Sequence, residues 1–367
     1  MYLRIIFKIV FRLGNTNVDK LTPAVQNLVD GVMHLLHYKD DALVTEAVLP
    51  QLINMLLHND PDAVAHAAST IYTLARKEAP RHALTQNHEL CPALAHVLLD
   101  NSVKSSAETK QQVMATIVAL SDDPNGRGAL FRGQTISALV RMLGDPHEPI
   151  VKYALSTLHN LLTFMKQDVV GPIRLAGGVS RMAHLMSPTE KRYWSDRFYA
   201  ILCSSLEMLC MGDIGSKSLV ADGNALGSLS NHVEHAEYEK LSYTSVRLLC
   251  TLSAYSAIKP DIIQYHNGVR ALMGAYKSGA NFEKPVQETS LWALRNLSDK
   301  VESDEDIQPL LSECLHILSG ASNHADILKQ CAAGILCNLT CNSESNKVFV
   351  VQNGGVDELI RTISEYV

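Results

Sequence analysis

Fifteen histidines and eight cysteines give this chain an ample supply of bases, nucleophiles and metal ligands, yet their spacing supports none of those roles. His232-Val-Glu-His235 sets its imidazoles one position too close for the His-Glu-x-x-His arrangement that holds zinc on a helix. No two cysteines form a Cys-x-x-Cys pair. Cys203, Cys210, Cys250, Cys331 and Cys337 fall inside apolar helical runs, where a reduced thiol acts as a small hydrophobe. A phosphate-binding glycine loop, a nucleophile elbow and a dinucleotide fingerprint are absent from the sequence. These residues read as those of a non-enzyme with no metal and no cofactor, kept in a reducing compartment.

The chemistry that the spacing does support is non-covalent recognition. Trp292, Arg295, Asn296 and Asp299 recur at i, i+3, i+4 and i+7 on one face of a helix, while Val286, Ala293, Leu294 and Leu297 leave the other faces apolar. Equivalent stripes are Ser156, His159, Asn160 and Thr163; Arg247, Cys250, Thr251 and Ala254; and Gly334, Cys337, Asn338 and Cys341. Asparagine is a poor helix former, so its place late in three helices costs stability. Its amide donates and accepts together, which suits clamping the backbone of an extended peptide; the plainer use is to satisfy a neighbouring helix end. Arg174, Lys217, Arg247, Arg295 and Lys347 fall near the same surface. In a chain of net charge -6, such a row would steer and orient an acidic ligand. The same acidic balance gives no reason to expect direct contact with nucleic acid.

The elements that must carry these stripes are helices, repeated along the chain. An apolar helix ends in Leu-x-Asn-Leu or a relative, a polar turn follows, and a short helix is closed by glycine. The clearest copies are Leu158-His-Asn-Leu161, Leu294-Arg-Asn-Leu297 and Leu336-Cys-Asn-Leu339. Weaker copies begin at Ile71, Ile117, Leu206 and Leu249, and successive copies lie roughly 41 to 48 residues apart, the period of three-helix armadillo or HEAT units. Gly133, Gly177-Gly178, Gly223, Gly268 and Gly354-Gly355 mark the junctions. Such units bury their apolar faces only by stacking, so the expected fold is an all-α right-handed superhelix, an α-solenoid of armadillo repeats with a concave peptide-binding groove. Sparse aromatic residues, 6% of the chain, fit helix-on-helix packing. Asn296-Leu-Ser298 and Asn338-Leu-Thr340 match the glycosylation pattern, but both lie in helical runs and read as chance matches.

About seven repeats are expected over 47–353, with the first helix of an incomplete eighth at 354–367. Val356, Leu359, Ile360 and Ile363 would there lack a cover, so this end is expected to fray first. Residues 1–23 read as a poorly ordered leader; they are basic and apolar, too short and too interrupted by Arg4, Lys8 and Arg12 to span a bilayer, and no signal-peptide cleavage site follows. Surface binding to a membrane is the alternative for that leader. Residues 24–46 form an N-terminal helix with Val25, Leu28, Val32, Leu35 and Leu36 at helical spacing.

Several longer phrases are similar to the β-catenin family. Leu291-Trp-Ala-Leu-Arg-Asn-Leu-Ser-Asp299, Cys331-Ala-Ala-Gly-Ile-Leu-Cys-Asn-Leu-Thr-Cys-Asn342, Lys77-Glu-Ala-Pro-Arg-His-Ala83, Thr157-Leu-His-Asn-Leu-Leu162 and Arg174-Leu-Ala-Gly-Gly178 follow in family order. The resemblance spans about Ala24 to Thr362. It implies a cytoplasmic hub, monomeric apart from its partners, that would bind the cadherin cytoplasmic tail and α-catenin at adherens junctions, linking them to the actin cytoskeleton. Signalling members also bind T-cell-factor transcription factors and degradation-scaffold proteins, and enter the nucleus. The family's two groove lysines that pair with ligand carboxylates match Lys217 and Lys347. Its peptide-clamping asparagines and arginines match Asn296, Asn338, Asn342, Arg247 and Arg295, and His159 and Asn160 match further groove residues. The helix Ala24 to Tyr38, with Tyr38-Lys-Asp-Asp41 its most recognisable piece, resembles the α-catenin-binding segment; folding back as a cap on the first repeat is the alternative.

Departures from the family pattern weigh on function. Val118-Ala119 replaces a His-Asn pair, and Cys250 replaces a lysine. The Asp-Ser-Gly-x-x-Ser phosphodegron does not occur in these 367 residues, and neither do the family's later repeats and transactivating tail. The expectation is therefore an adhesion scaffold, with a Wnt-pathway co-activator binding T-cell factors through the same groove as the alternative. A nuclear-import adaptor shares the architecture, but its groove is acidic with regular Trp-Asn pairs, whereas Trp292 is the lone fit here.

Overall fold

The structure, a computed structural model, describes residues 23–100, 106–187, 194–222, 225–265, 267–283, 285–319, 326–341 and 343–365. The leader before Pro23, Gly223 and Asn342 lie outside the described residues, as do the side chains of Val25, Leu28, Val32, Leu35 and Leu36. The chain divides into two compact units, Met1–Gly133 and Gln134–Val367.

In the first unit α1 (Pro23–Leu56) is one continuous helix that runs through the boundary expected near Ala47. Leu49, Leu52, Ile53 and Leu56 are buried at helical spacing and seat it on α2 (Pro61–Ala75) and α3 (Glu78–Gln86). After α4 (Leu90–Leu99), α5 (Ala107–Ser121) packs on α2, and α6 (Pro124–Arg132) packs on α3. Asp123 caps α6 through Asn125 N at 2.7 Å. Gly126 is required at this corner, because a Cβ there would run into the Leu120 carbonyl oxygen. Buried Arg127 then donates to the carbonyls of Ser121 at 3.0 Å and Asp122 at 3.1 Å, supplying partners that the end of α5 lacks.

The second unit holds α7 (Ile136–Met142), α8 (Glu148–Phe164), α9 (Lys166–Leu175), α10 (Gly178–Met186), α11 (Asp196–Cys210), α12 (Ile214–Asp222), α13 (Ala225–His235), α14 (Glu239–Ser253), α15 (Gly268–Ser278), α16 (Val286–Leu297), α17 (Asp304–Leu318), α18 (Asp326–Thr340), α19 (Glu344–Gln352) and α20 (Gly355–Glu365). They stack as two ladders. One runs α8–α11–α14–α16–α18, the other α10–α13–α15–α17–α20, and α7 packs on α8. The leucines of every Leu-x-x-Leu phrase on the first ladder are buried, from Leu158 and Leu161 to Leu336 and Leu339, and of the residues between them Glu207 alone is buried as well. Gly177, Asn267 and Gly354 each turn the chain in the left-handed region, with φ of 78°, 49° and 73°. No β-strand occurs among the described residues. The fold is an all-α stack of armadillo-type helices.

Candidate functional site on the second unit

The ladder α8–α11–α14–α16–α18 presents His159 and Asn160, Glu207 and Met208, Cys250 and Thr251, Arg295 and Asn296, and Cys337 and Asn338 at corresponding positions. Burial of the flanking leucines fixes which way these pairs face. Trp292 stands one turn before Arg295, is 43% exposed, and carries the Arg295 guanidinium 5.1 Å from its ring centroid.

The asparagines are held by the helix before them. Asn296 Nδ2 donates to Ser253 Oγ at 3.1 Å and reaches toward Cys250 O at 3.5 Å. Asn338 repeats this one step on, donating to Ser298 Oγ at 2.9 Å and Arg295 O at 3.3 Å. A carbonyl only accepts, so the amide nitrogen must face it, and Oδ1 is turned away without a partner among the described residues. Of the two uses expected of these residues, the structure shows the helix-end one: the amide nitrogen serves the neighbouring helix, and the oxygen is left without a partner among the described residues. Asn160 also makes an interaction within the protein. His159 has a defined tautomer. Ser205 Oγ spends its proton on Ile201 O at 2.8 Å, so His159 Nδ1–H donates to Ser205 Oγ at 3.2 Å and leaves Nε2 as the acceptor. Burial, with the charge of Lys240 adding, holds the His159 pKa below its ordinary value.

The five cations are not equivalent. Arg174 donates through Nε to Leu209 O at 3.0 Å, through Nη2 to the same oxygen and to Met211 O at 3.3 Å, and lies 3.7 Å from Asp213. It closes the carboxyl end of α11 and is structural. Arg247 Nη2 donates to Glu207 Oε1 at 2.8 Å, with the Tyr243 ring beneath it at 5.5 Å. Glu207 is buried, so this pair neutralises the middle of the face. Lys347 has only an exposed contact with Glu344 at 3.4 Å, one turn away on α19. Lys217 and Arg295 have no carboxylate partner among the described residues. The Lys217 charge nevertheless acts on the thiols of Cys210 and Cys250, and its helix packs on α11.

Known proteins match this architecture and its sequence. No family model matches the chain. Catenin beta of Urechis caupo is 34% identical over 348 residues, 95% of this chain and 40% of the relative. Junction plakoglobin of Xenopus laevis is 34% identical over the same share of this chain and 45% of its own length. The Armadillo segment polarity protein of Musca domestica is 35% identical and is covered over 41%. Over 95% of its length the chain is similar to catenin beta, plakoglobin and Armadillo proteins. It spans less than half the length of the curated relatives it matches. Among solved structures, one concerned with a phosphorylation switch in the interaction between cadherin and β-catenin superimposes with TM-score 0.71 at 26% identity, over 86% of this chain and 57% of that one. A designed armadillo repeat protein for modular peptide recognition gives 0.53 at 18% identity over 68% of this chain and 99% of that one, a likeness of fold alone.

The structure adds Glu207 to the residues that shape this face. Reading the repeat in register could have found it, since Glu207 occupies the slot of His159 and Arg295. Tyr38 is half-buried on α1, and Leu43, Val44 and Val48 of that helix are exposed. No described helix is long and apolar enough to cross a membrane.

Proposed function

We propose that the α8–α18 face binds an extended acidic peptide and that its ligand is a cadherin cytoplasmic tail. One observation carries this reading: Asn296 and Asn338 spend their donors on the preceding helix and turn unpaired oxygens outward, on a face where Lys217 and Arg295 are uncompensated. Backbone N–H groups of an extended chain supply the donors those oxygens lack, and its carboxylates or phosphates supply the opposite charge. Trp292 offers an apolar plate between them. The protein is a scaffold in this reading, not an enzyme. With α1 engaging α-catenin, it joins adhesion receptors to the actin cytoskeleton at cytoplasmic adherens junctions. T-cell-factor and degradation-scaffold peptides share the acidic, extended chemistry and compete for the same face.

Calorimetric titration of a phosphorylated cadherin-tail peptide into the full chain tests this. Lys217→Glu is expected to weaken binding about tenfold, equivalent to about 1.4 kcal/mol, and added salt is expected to shrink that difference. Lys347→Glu, at a more solvated site, is expected to cost less. Folded wild-type protein that does not bind the peptide refutes the assignment. Tighter binding of a T-cell-factor peptide, with none of α-catenin, would move it to the signalling reading.

A further inference from the structure

The eight thiols fall into two classes. Cys91, Cys203, Cys210, Cys314 and Cys331 are buried and Cys250 is half-buried; burial pushes Cys91, Cys203 and Cys210 up to about 12, and Cys250 and Cys331 up to about 11. Only Cys337 and Cys341 are exposed. They are four residues apart on the face of α18, with Cys341 N donating to Cys337 O at 3.1 Å, and Cys341 follows Thr340, the last residue of the helix. Cα atoms four apart on a helix lie about 6 Å from each other, within the span that a disulfide bridges, but their Cβ atoms lie about 5 to 6 Å apart against the ~4.5 Å a disulfide tolerates, so closure requires the last turn of α18 to shift.

Their setting is the proposed ligand face. Asn338 lies between them, and the Arg295 guanidinium lies across Gly334, one turn before Cys337; a Cβ on that glycine would come within 2.6 Å of Arg295 Nε. An anionic, peptide-like disulfide therefore meets an uncompensated cation beside two open thiols.

We propose that Cys337 and Cys341 form a dithiol modification site that reacts with glutathione disulfide and closes into a bridge across the turn holding Asn338. The thiolate of either residue attacks one sulfur of glutathione disulfide; that S–S bond breaks, a protein–glutathione mixed disulfide forms, and one glutathione thiolate leaves. The second cysteine, as thiolate, attacks the protein sulfur of the mixed disulfide and expels the other glutathione thiolate. The pair gives up two electrons and two protons, and one glutathione disulfide becomes two glutathiones. The bridge twists the turn that orients Asn338, so ligand grip falls at this step; that consequence rests on the peptide-binding reading, whereas the chemistry does not.

The test treats the full chain with glutathione disulfide at neutral pH and follows intact mass and peptide maps. The expected product has lost two hydrogens, carries no glutathione, and maps to a Cys337–Cys341 bridge; Cys341→Ser traps the adduct on Cys337, and Cys337→Ser traps it on Cys341. Stable adducts on both wild-type thiols without a bridge, or modification at other cysteines, overturn the proposal. Circular dichroism confirms that each species is folded. The bridged protein is then expected to bind the cadherin-tail peptide about tenfold more weakly than the reduced protein, the loss of about one hydrogen bond. Equal affinity overturns the link to the face. Reduced protein that fails to bind refutes the peptide-binding reading, and the mass experiment then judges the dithiol alone.

Discussion

Arg247→Ala tests whether the Glu207 pair is a structural element of the face. The guanidinium lies 2.8 Å from a carboxylate whose side chain is 5% exposed, while Arg247 itself is 39% exposed. Losing one partner of a fully buried pair costs about 3 to 5 kcal/mol, chiefly because the remaining charge is stranded. Water reaches the arginine end, and the Lys217 charge acts on the same group of side chains, so about 2 kcal/mol is expected here. Adding Glu207→Gln replaces the stranded charge by a neutral amide and should recover about 1 kcal/mol. The assay is the urea midpoint followed by circular dichroism, across wild type, both single variants and the double variant. Arg247→Ala within about 0.5 kcal/mol of wild type, or a double variant no more stable than it, refutes the buried-charge argument. Binding gives a second readout. In Glu207→Gln the Arg247 charge is no longer neutralised, and removing a negative charge about 6 Å from a ligand carboxylate in a watery setting is worth about 0.7 kcal/mol, so the acidic peptide should bind about threefold more tightly.

Three further outcomes are expected. His159 titrates below its ordinary value in the fold, so the unfolded chain takes up a proton first as pH falls; stability present above about pH 6.5 is lost toward the lower folded value, and His159→Gln should flatten that loss in urea midpoints measured from neutral to mildly acidic pH. Gly178→Ala, whose Cβ would meet Ile173 O at 2.8 Å, should lower the thermal midpoint, whereas Gly274→Ala, with only Glu234 Cγ at 3.8 Å, should raise stability by about 0.5 to 1 kcal/mol. Arg174→Ala should cost about 1 to 2 kcal/mol of stability by uncapping α11, with a smaller effect on peptide affinity than Lys217→Glu; the reverse order in calorimetry would make Arg174 a ligand contact.

Period and polarity made much of this molecule readable. The Leu-x-x-Leu phrases announce helices whose leucines are buried, and the two residues between them necessarily share the opposite face. What the pattern conceals is the offset from one helix to the next. Glu207 and Arg247 are 40 residues apart and meet only because α11 packs on α14. Arg174 looks like a groove cation in sequence, yet α9 brings it to the carbonyls ending α11. Charge counting treats all five cations alike; only inter-helix packing tells which have spent their charge on the protein. The continuous α1 runs past the boundary expected near Ala47 because the apolar spacing of Leu49, Leu52, Ile53 and Leu56 carries the helix on through Pro50, whose ring sits exposed.

The asparagine ladder also explains where the face should grip hardest. An asparagine in a helix costs stability, and a free amide would cost more when a ligand froze it. Here the frozen state exists before the ligand arrives, because Ser253 and Ser298 already hold Asn296 and Asn338. The ordering cost of about 0.5 to 1.5 kcal/mol per side chain therefore falls on folding and not on binding. Met208 and Thr251 occupy the same slot on α11 and α14 and have no amide to present, and the Glu207–Arg247 pair cancels charge between them. Backbone clamping should thus be strongest across α16 and α18, with the central stretch contributing through Lys217 alone. Successive truncation of the peptide should lose most affinity when the residues opposite Asn296 and Asn338 are removed; loss spread evenly along the peptide would mean that the ladder is a fold device and not a binding one.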